Sequence, residues 1–302
     1  MSNTETSDWQ GKVCVVTGAG SGIGGALARY AASLGMHVIA ADMDEAGLGQ
    51  LEETLSARGQ SIRTRRTDVR DEQAVEALAS EVFARHGKVN LLFNNAGVLV
   101  DGKSWERSMR DWRWSFEVNV FGVIHGIRSF VPRMLRQAGP GRIVNTSSQG
   151  GLMSGGVYLG PYQSTKHAVT ALSETLHAEL ALEEVPITVS CLCPGEVATA
   201  IWTSDRLRPE EERNRLASES ERQYHEAVSG AGARSQKPDE FAAQVFAAIE
   251  AGKFWIVSPG EGFKQAFELR TRRIVEGRQP PSTEEMMQLF ARTRLLERTQ
   301  AD

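Results

Sequence analysis

The sequence predicts an α/β chain folded as a doubly wound parallel sheet with helices on both faces, and three observations carry that reading. A short apolar run near the N-terminus, Lys12-Val13-Cys14-Val15-Val16-Thr17, breaks into glycines and then into an alanine-rich helix. Strand-like and helix-like segments alternate four times up to Phe93. The polar and glycine-rich motifs fall just past the strand ends, on the edge where such sheets bind ligands.

The first run is nearly continuous in apolar residues, as a parallel strand covered on both faces requires. Gly18-Ala19-Gly20-Ser21-Gly22-Ile23-Gly24 leads from it into the helix Ala26 to Leu34, which Gly35 stops. Missing Cβ atoms let this loop turn sharply and approach a pyrophosphate, while the helix N-terminus offers unpaired N–H groups to negative charge. The second strand, His37-Val38-Ile39-Ala40-Ala41, ends in Asp42, 18 residues beyond Gly24. An acid at that place accepts hydrogen bonds from adenosine ribose hydroxyls and repels a 2′-phosphate, so it points to NAD over NADP. Asp44 reads instead as the cap of a helix from Glu45 to Arg58. A strand over 61–67, the pair Asp68-Val69, a helix from Asp71 to His86 and a fourth strand, Val89 to Phe93, continue the alternation. That strand closes on Asn94-Asn95-Ala96-Gly97, where small residues let backbone pass close to a flat ligand. The architecture is therefore a Rossmann-type sheet in a single domain.

Asp111 to Gln137 reads as one long helix, kinked near its end by Pro132. Asn119 sits inside its apolar stripe, where an amide is costly unless hydrogen-bonded, so it either caps a local break or serves the site. Strand five, Gly141 to Thr146, ends at Ser147-Ser148, 14 residues before Tyr162 counted from Ser148. The glycine pairs between them make a compact loop able to bring Ser148 beside that phenol. Tyr162 and Lys166 stand four apart near the start of a helix whose apolar stripe runs from Ala168 to Leu182, so they share one face. A free phenol titrates at about 10, too high for a base at neutral pH. The helix dipole and the ammonium one turn along are both expected to favour tyrosinate.

Strand six, Ile187 to Cys193, breaks at Pro194-Gly195-Glu196-Val197-Ala198-Thr199, and about 35 mostly polar residues follow, a length suited to a lid. Pro238 opens another helix, Phe254 to Val257 is the last strand, and two helical patterns run from Gly262 to Ala301. Leu152, Met153, Val157, Tyr158, Leu159, Trp202 and Trp105 are the candidates for an apolar pocket suited to a bulky, aromatic or polycyclic alcohol. The expected organisation is a cofactor-binding half over about 10–146, a catalytic and substrate part over about 147–262, and a C-terminal helical extension over about 263–302.

With 34 Lys+Arg against 38 Asp+Glu in 302 residues, the net charge of -4 gives no global basic field for nucleic acid or anionic lipid. The short basic runs Arg63 to Arg66 and Arg270 to Arg273 read as solvated faces. No apolar run approaches a bilayer span and residues 1–10 are polar, so a cytoplasmic protein without a membrane partner is expected. Cys14, Cys191 and Cys193 make no disulfide framework or zinc spacing and are expected in the core; no metal is expected.

The ordered motifs resemble the classical short-chain dehydrogenase/reductase family over about Lys12 to Phe263. Thr17 to Gly24 resembles its T-G-x-x-x-G-I-G cofactor loop, Asn94-Asn95-Ala96-Gly97 its N-N-A-G, and Pro194 to Thr199 the segment that holds the nicotinamide carboxamide. Asn119, Ser148, Tyr162 and Lys166 match its catalytic tetrad. The resemblance implies an NAD-dependent oxidoreductase interconverting a secondary alcohol and its ketone, with a small-molecule substrate. Tyr162 would be the general acid/base, Ser148 would hydrogen-bond the substrate oxygen, and Lys166 would lower the phenol pKa and bind the ribose hydroxyls. Asn119 would hold a water that links the lysine to solvent through backbone groups. Ser147 is the alternative serine, because the interval from Ser148 to Tyr162 is one residue longer than is common in the family. The implied cofactor residues are Gly18, Ser21, Gly22, Ile23, Gly24, Asp42, Asp68, Val69, Asn95, Ala96, Gly97, Tyr162, Lys166, Pro194, Gly195, Val197 and Thr199. A homodimer or homotetramer through the helices carrying Asn119 and Tyr162 is implied as well. The competing reading is a catalytically silent nucleotide-sensing regulatory protein on the same fold.

Overall fold

In the computed structural model, which describes residues 9–153, 155–213, 218–232, 235–286 and 288–289, seven strands form one parallel sheet. They are β1 (Val13–Thr17), β2 (His37–Asp42), β3 (Ile62–Arg66), β4 (Leu91–Asn94), β5 (Gly141–Thr146), β6 (Ile187–Cys193) and β7 (Trp255–Val257). The order β3-β2-β1-β4-β5-β6-β7 reverses direction between β1 and β4, and that switch opens a crevice at the strand C-termini. All five residues of β1 are buried, as its unbroken apolar run requires.

Two apolar clusters cover the two faces. Helices α1 (Gly22–Ser33) and α2 (Glu45–Ser56) pack on one face, with α8 (Pro238–Glu250) beside them. On the other face lie α3 (Glu72–His86), α4 (Met109–Phe116), α5 (Gly122–Met134) and α6 (Gly160–Leu182). The three cysteines are free thiols buried in the sheet, as expected.

The long helix expected from Asp111 to Gln137 is interrupted. A π turn over Glu117–Phe121 separates α4 from α5, whereas Pro132 lies inside α5 without ending it. The interruption is centred on Asn119, so that buried amide does sit at a local break. α4 starts two residues earlier than read, because Ser108 and Asp111 form a reciprocal capping box.

The stretch read as a polar lid carries its own structure: 3₁₀ turns at Ala200–Leu207 and Glu210–Glu212, then α7 (Glu219–Gly232). After β7, α9 (Glu261–Val275) is the first of the two C-terminal helical patterns; most of the second lies outside the described residues. Of the described residues, no helix is long and apolar enough to cross a membrane.

Candidate active site

The loop after β1 is built by backbone touching backbone. Gly18 has φ +69°, and a Cβ there would come within 2.7 Å of the Ala96 Cα, so only glycine lets this loop rest on the segment leaving β4. Asn95 clamps the two together: its N–H donates to Thr17 Oγ1 (3.0 Å) and its Nδ2 to the Thr17 carbonyl (3.0 Å). Gly24 is tighter still, since a Cβ would stand 2.0 Å from the Gly18 carbonyl oxygen. At the end of β2, Asp42 Oδ2 accepts from the Gly20 N–H (2.8 Å) and Oδ1 from the Asp44 N–H (2.9 Å). Each carboxylate oxygen thus keeps acceptor capacity facing the crevice. Asp44 caps α2 through the Gly47 N–H, as expected.

These pieces border a cleft of about 340 Å³. Every residue of the implied cofactor set lines it: Gly18, Ser21, Gly22, Ile23, Gly24, Asp42, Asp68, Val69, Asn95, Ala96, Gly97, Tyr162, Lys166, Pro194, Gly195, Val197 and Thr199. Burial works to raise the Asp68 carboxyl, but the Arg70 fork on it prevails and holds it below its ordinary range. Thr199 stands within 3.2 Å of where a Gly22 Cβ would be, closing the segment after β6 against the first turn of α1.

Tyr162 and Lys166 rise from the first two turns of α6, which Pro161 helps to start. Lys166 Nζ donates to the Thr146 carbonyl (2.9 Å) and lies 5.7 Å from the centre of the Tyr162 ring. The ammonium is 3% exposed, and burial lowers it to about 8, against weaker opposing effects from Cys191 and Cys193. Ser148 Oγ accepts from the Gly150 N–H (3.0 Å), and a Cβ on Gly150 would stand 3.4 Å from that oxygen and 3.8 Å from Tyr162 Cε1, so the hydroxyl sits beside the phenol and works to lower its pKa. Ser147 points elsewhere: its hydroxyl donates to the Lys166 carbonyl (2.8 Å) and pairs with Thr170 Oγ1 (2.8 Å), fastening β5 to α6. The phenol corrects an expectation. Instead of being drawn down, it is pushed above 10.0 by burial, which outweighs the effect of Ser148.

Asn119 lies behind the cleft wall rather than in it. Its Oδ1 accepts from the Val98 N–H (2.8 Å), and its Nδ2 donates to the Val98 carbonyl (2.9 Å) and to Thr165 Oγ1 (2.9 Å). The amide therefore ties three elements: the π turn, the segment after β4 and α6. A Cβ on Gly97 would stand 3.4 Å from both Asn119 Oδ1 and Lys166 Nζ, which places these groups around one small space.

Beyond the serine and tyrosine the cleft turns apolar, bordered by Leu99, Trp114, Val118, Leu159, Ile201, Trp202, Leu207 and Val228. Of the seven pocket candidates, Leu159 and Trp202 line it; Leu152, Met153, Val157 and Tyr158 do not, and Trp105 is 81% exposed. Sequence reasoning missed Leu99, Trp114 and Val118, which come from strand ends and helices remote in the chain. It also missed what holds the lid. Arg208 donates to Asp111 Oδ1 (2.8 Å) and to Asp205 Oδ1 (2.6 Å) while stacking 4.2 Å over the Trp114 ring. Glu221 accepts from the Lys103 N–H (2.9 Å), and His225 Nδ1 meets Asp101 Oδ2 at 2.7 Å. The capping-box spacing of Ser108 and Asp111 was the one available signal, and it says nothing of Arg208.

Residues 12–210 match the family model described as short chain dehydrogenase. A solved short chain dehydrogenase/reductase from Burkholderia phymatum, in complex with NAD, is 40% identical and superposes with a TM-score of 0.87, covering 91% of this chain and 98% of its own. A CLA biosynthesis dehydrogenase/reductase of Lactiplantibacillus plantarum is 27% identical over 272 residues, 89% of this chain and 94% of that protein. A 1-deoxy-11-beta-hydroxypentalenate dehydrogenase of Streptomyces avermitilis is 36% identical over 192 residues, 63% of this chain and 70% of that protein. With a glycine loop, a serine beside a tyrosine and a buried lysine gathered on one cleft of a doubly wound sheet, the chain belongs to the classical short-chain dehydrogenase/reductase family of oxidoreductases.

Proposed function

We propose that the protein is an NAD-dependent oxidoreductase that interconverts a secondary alcohol and its ketone, with Tyr162 as general acid/base. The observation that carries this reading is that Ser148, Tyr162 and Lys166 line the same cleft as the glycine loop, with the serine hydroxyl beside the phenol. The residues fit NAD: Gly18 and Gly24 leave no room for a Cβ where a pyrophosphate must approach, and Asp42 turns acceptors toward the place of a ribose diol. NAD, when bound, supplies the hydride acceptor or its reduced counterpart the donor.

The chain's own residues then handle the proton. Ser148 and Tyr162 are neighbours on the cleft wall, so an alcohol oxygen bound between them would meet both a donor and the base. In oxidation Tyr162 takes the hydroxyl proton as hydride departs; in reduction it returns that proton to the developing alkoxide. The ammonium of Lys166 favours the phenolate electrostatically, and Asn119 holds the segment after β4 so that this geometry persists. Asn119 Nδ2 spends both its hydrogens on Val98 and Thr165, so a water linking Lys166 to solvent would be held by backbone groups or by the remaining lone pair of Oδ1. The apolar far wall, with Trp114 and Trp202, supports a bulky apolar or aromatic substrate. The dehydrogenase of Streptomyces, whose name gives a hydroxylated substrate, supports an alcohol as well. A homodimer or homotetramer is supported by the exposed Phe121 and Leu182 on the π turn and α6.

The test is Tyr162→Phe assayed on a panel of secondary alcohols from aliphatic to aryl and polycyclic. Turnover should fall by about 10² to 10⁴ while NADH fluorescence titration stays nearly unchanged. Comparable turnover in the variant means another group moves the proton. Since the phenol is pushed up, alcohol oxidation by the wild type should quicken toward alkaline pH as tyrosinate becomes accessible.

A further inference from the structure

We infer that Arg206, on the lid, is a clamp for the diphosphate of the dinucleotide, so that the lid and the glycine loop grip the same anion from opposite sides. The inference rests on the NAD reading above and adds a residue to it. Arg206 borders the cleft together with Ser21, Gly22 and Thr199. Its Nη1 donates to the carbonyls of Ala200 and Thr203 (both 3.2 Å), which fixes the plane of the guanidinium on the 3₁₀ turn that bears it. Its Nη2 reaches 3.5 Å from Ser21 Oγ, the residue from which α1 starts.

That placement needs an explanation. α1 has no acidic residue in its first turn and no side-chain cap, so its N-terminus presents bare positive character. Among the described residues Arg206 forms no ion pair, whereas Arg208, two positions on, is held between two carboxylates. A cation poised over a positive helix end is repelled by it, and an anion between the two turns repulsion into attraction on both sides. Arginine suits the role because its donors form a flat fork that matches phosphate oxygens, and here two carbonyls have already oriented it. The far side of the cleft, with the Asp42 carboxylate on the Gly20 N–H, is closed to a second phosphate by like charge.

The experiment compares the full-length chain with Arg206→Ala and Arg206→Lys, titrating NADH and NADPH by fluorescence and ADP and adenosine by calorimetry, each at low and high salt. Arg206 is exposed, so the variants should fold as the parent does. The expected result is about tenfold weaker NADH and ADP in Arg206→Ala, an intermediate value in Arg206→Lys, unchanged adenosine, and a shallower salt dependence for ADP. Unchanged NADH and ADP affinity overturns the clamp. Equal weakening of adenosine overturns it too, because the residue then merely shapes the loop. Weakening confined to NADPH assigns Arg206 to a 2′-phosphate and refutes the diphosphate. Absence of NADH binding by the unaltered chain refutes the cofactor reading itself, an outcome distinct from the other three.

Discussion

The glycine loop and the lid face each other across one cleft, yet different physics holds each. The loop is positioned mostly by main chain, Gly18 against Ala96 and Gly24 against the Gly18 carbonyl, with the Thr17 hydroxyl and the Asn95 amide tying the two segments together. The lid is positioned by polar side chains whose partners lie 97, 118 and 124 residues away: Arg208 to the Asp111 carboxylate, Glu221 to the Lys103 N–H and His225 to the Asp101 carboxylate. Backbone contacts of the first kind tolerate almost no substitution but stand close to the strand ends that the local sequence builds. Contacts of the second kind can be exchanged pair by pair, provided no charge is left buried alone. The difference suits the proposed function, in which the loop meets a cofactor of one shape and the lid meets the substrate.

That comparison can be broken at several points. The largest effect is expected at Arg208, whose side chain is 2% exposed between two carboxylates. Arg208→Met leaves Asp111 without its partner and should cost about 3–5 kcal/mol of stability, read from urea unfolding. The double variant Arg208→Met, Asp111→Leu should recover part of it, short of the full amount because Asp111 also closes the capping box of α4. A single-variant loss below about 1 kcal/mol, the range of exposed pairs, would show that the lid is held by something else. Next comes Gly24→Ala, whose methyl must displace the Gly18 carbonyl or the first turn of α1. It should cost about 1–3 kcal/mol, appearing as weaker NADH binding with the apolar part of the cleft unaffected. A variant that binds NADH normally would mean that the loop yields more easily than its contacts imply.

Asp42→Ala sharpens the comparison within the cofactor side. Losing the carboxylate should shift the NADH-to-NADPH preference by about tenfold toward NADPH, one charge-assisted hydrogen bond plus a relieved repulsion. An unchanged ratio would take specificity away from this residue. A last prediction concerns a pH dependence at Lys166. Its ammonium titrates at about 8 in the native state against 10.5 in an open chain, so the unfolded state binds the proton more tightly between those values. The burden of the buried charge is therefore complete below 8 and is relieved as pH rises toward 10.5, where the contribution to stability is greatest. Lys166→Met removes that rise; parallel stability curves for the two proteins across pH 8 would show that the lysine is better solvated than its surroundings indicate.

The strands, their order and the residues on the sheet edge were legible because each rests on short-range signals. An apolar run ending in glycine makes a buried parallel strand, and a motif just past it must lie on the C-terminal edge. Asp42 is found where counting from Gly24 placed it. The helix break was half legible: Asn119 announced a conflict with its apolar stripe, and the π turn resolves that conflict by turning the amide onto Val98. Pro132 lies inside α5, two residues before its end, and does not mark the break. The pocket wall was poorly legible. Trp105 is apolar and near the site in sequence yet 81% exposed, while Trp114, nine residues on, lines the cleft beneath Arg208.

By itself, then, the sequence determined the doubly wound sheet, the cofactor loop and the identity of the tyrosine and lysine, because periodicity and glycine placement act within a few residues of chain. Only the tertiary structure decided which serine faces the phenol, where the lid is latched and how the site titrates. Ser147 and Ser148 are neighbours of one type; what separates them is that the first meets the backbone of α6 and the second meets Tyr162. Burial has the same character. A helix dipole and a nearby ammonium can be read from spacing, but the desolvation that pushes the phenol up and the ammonium down comes from everything packed around them.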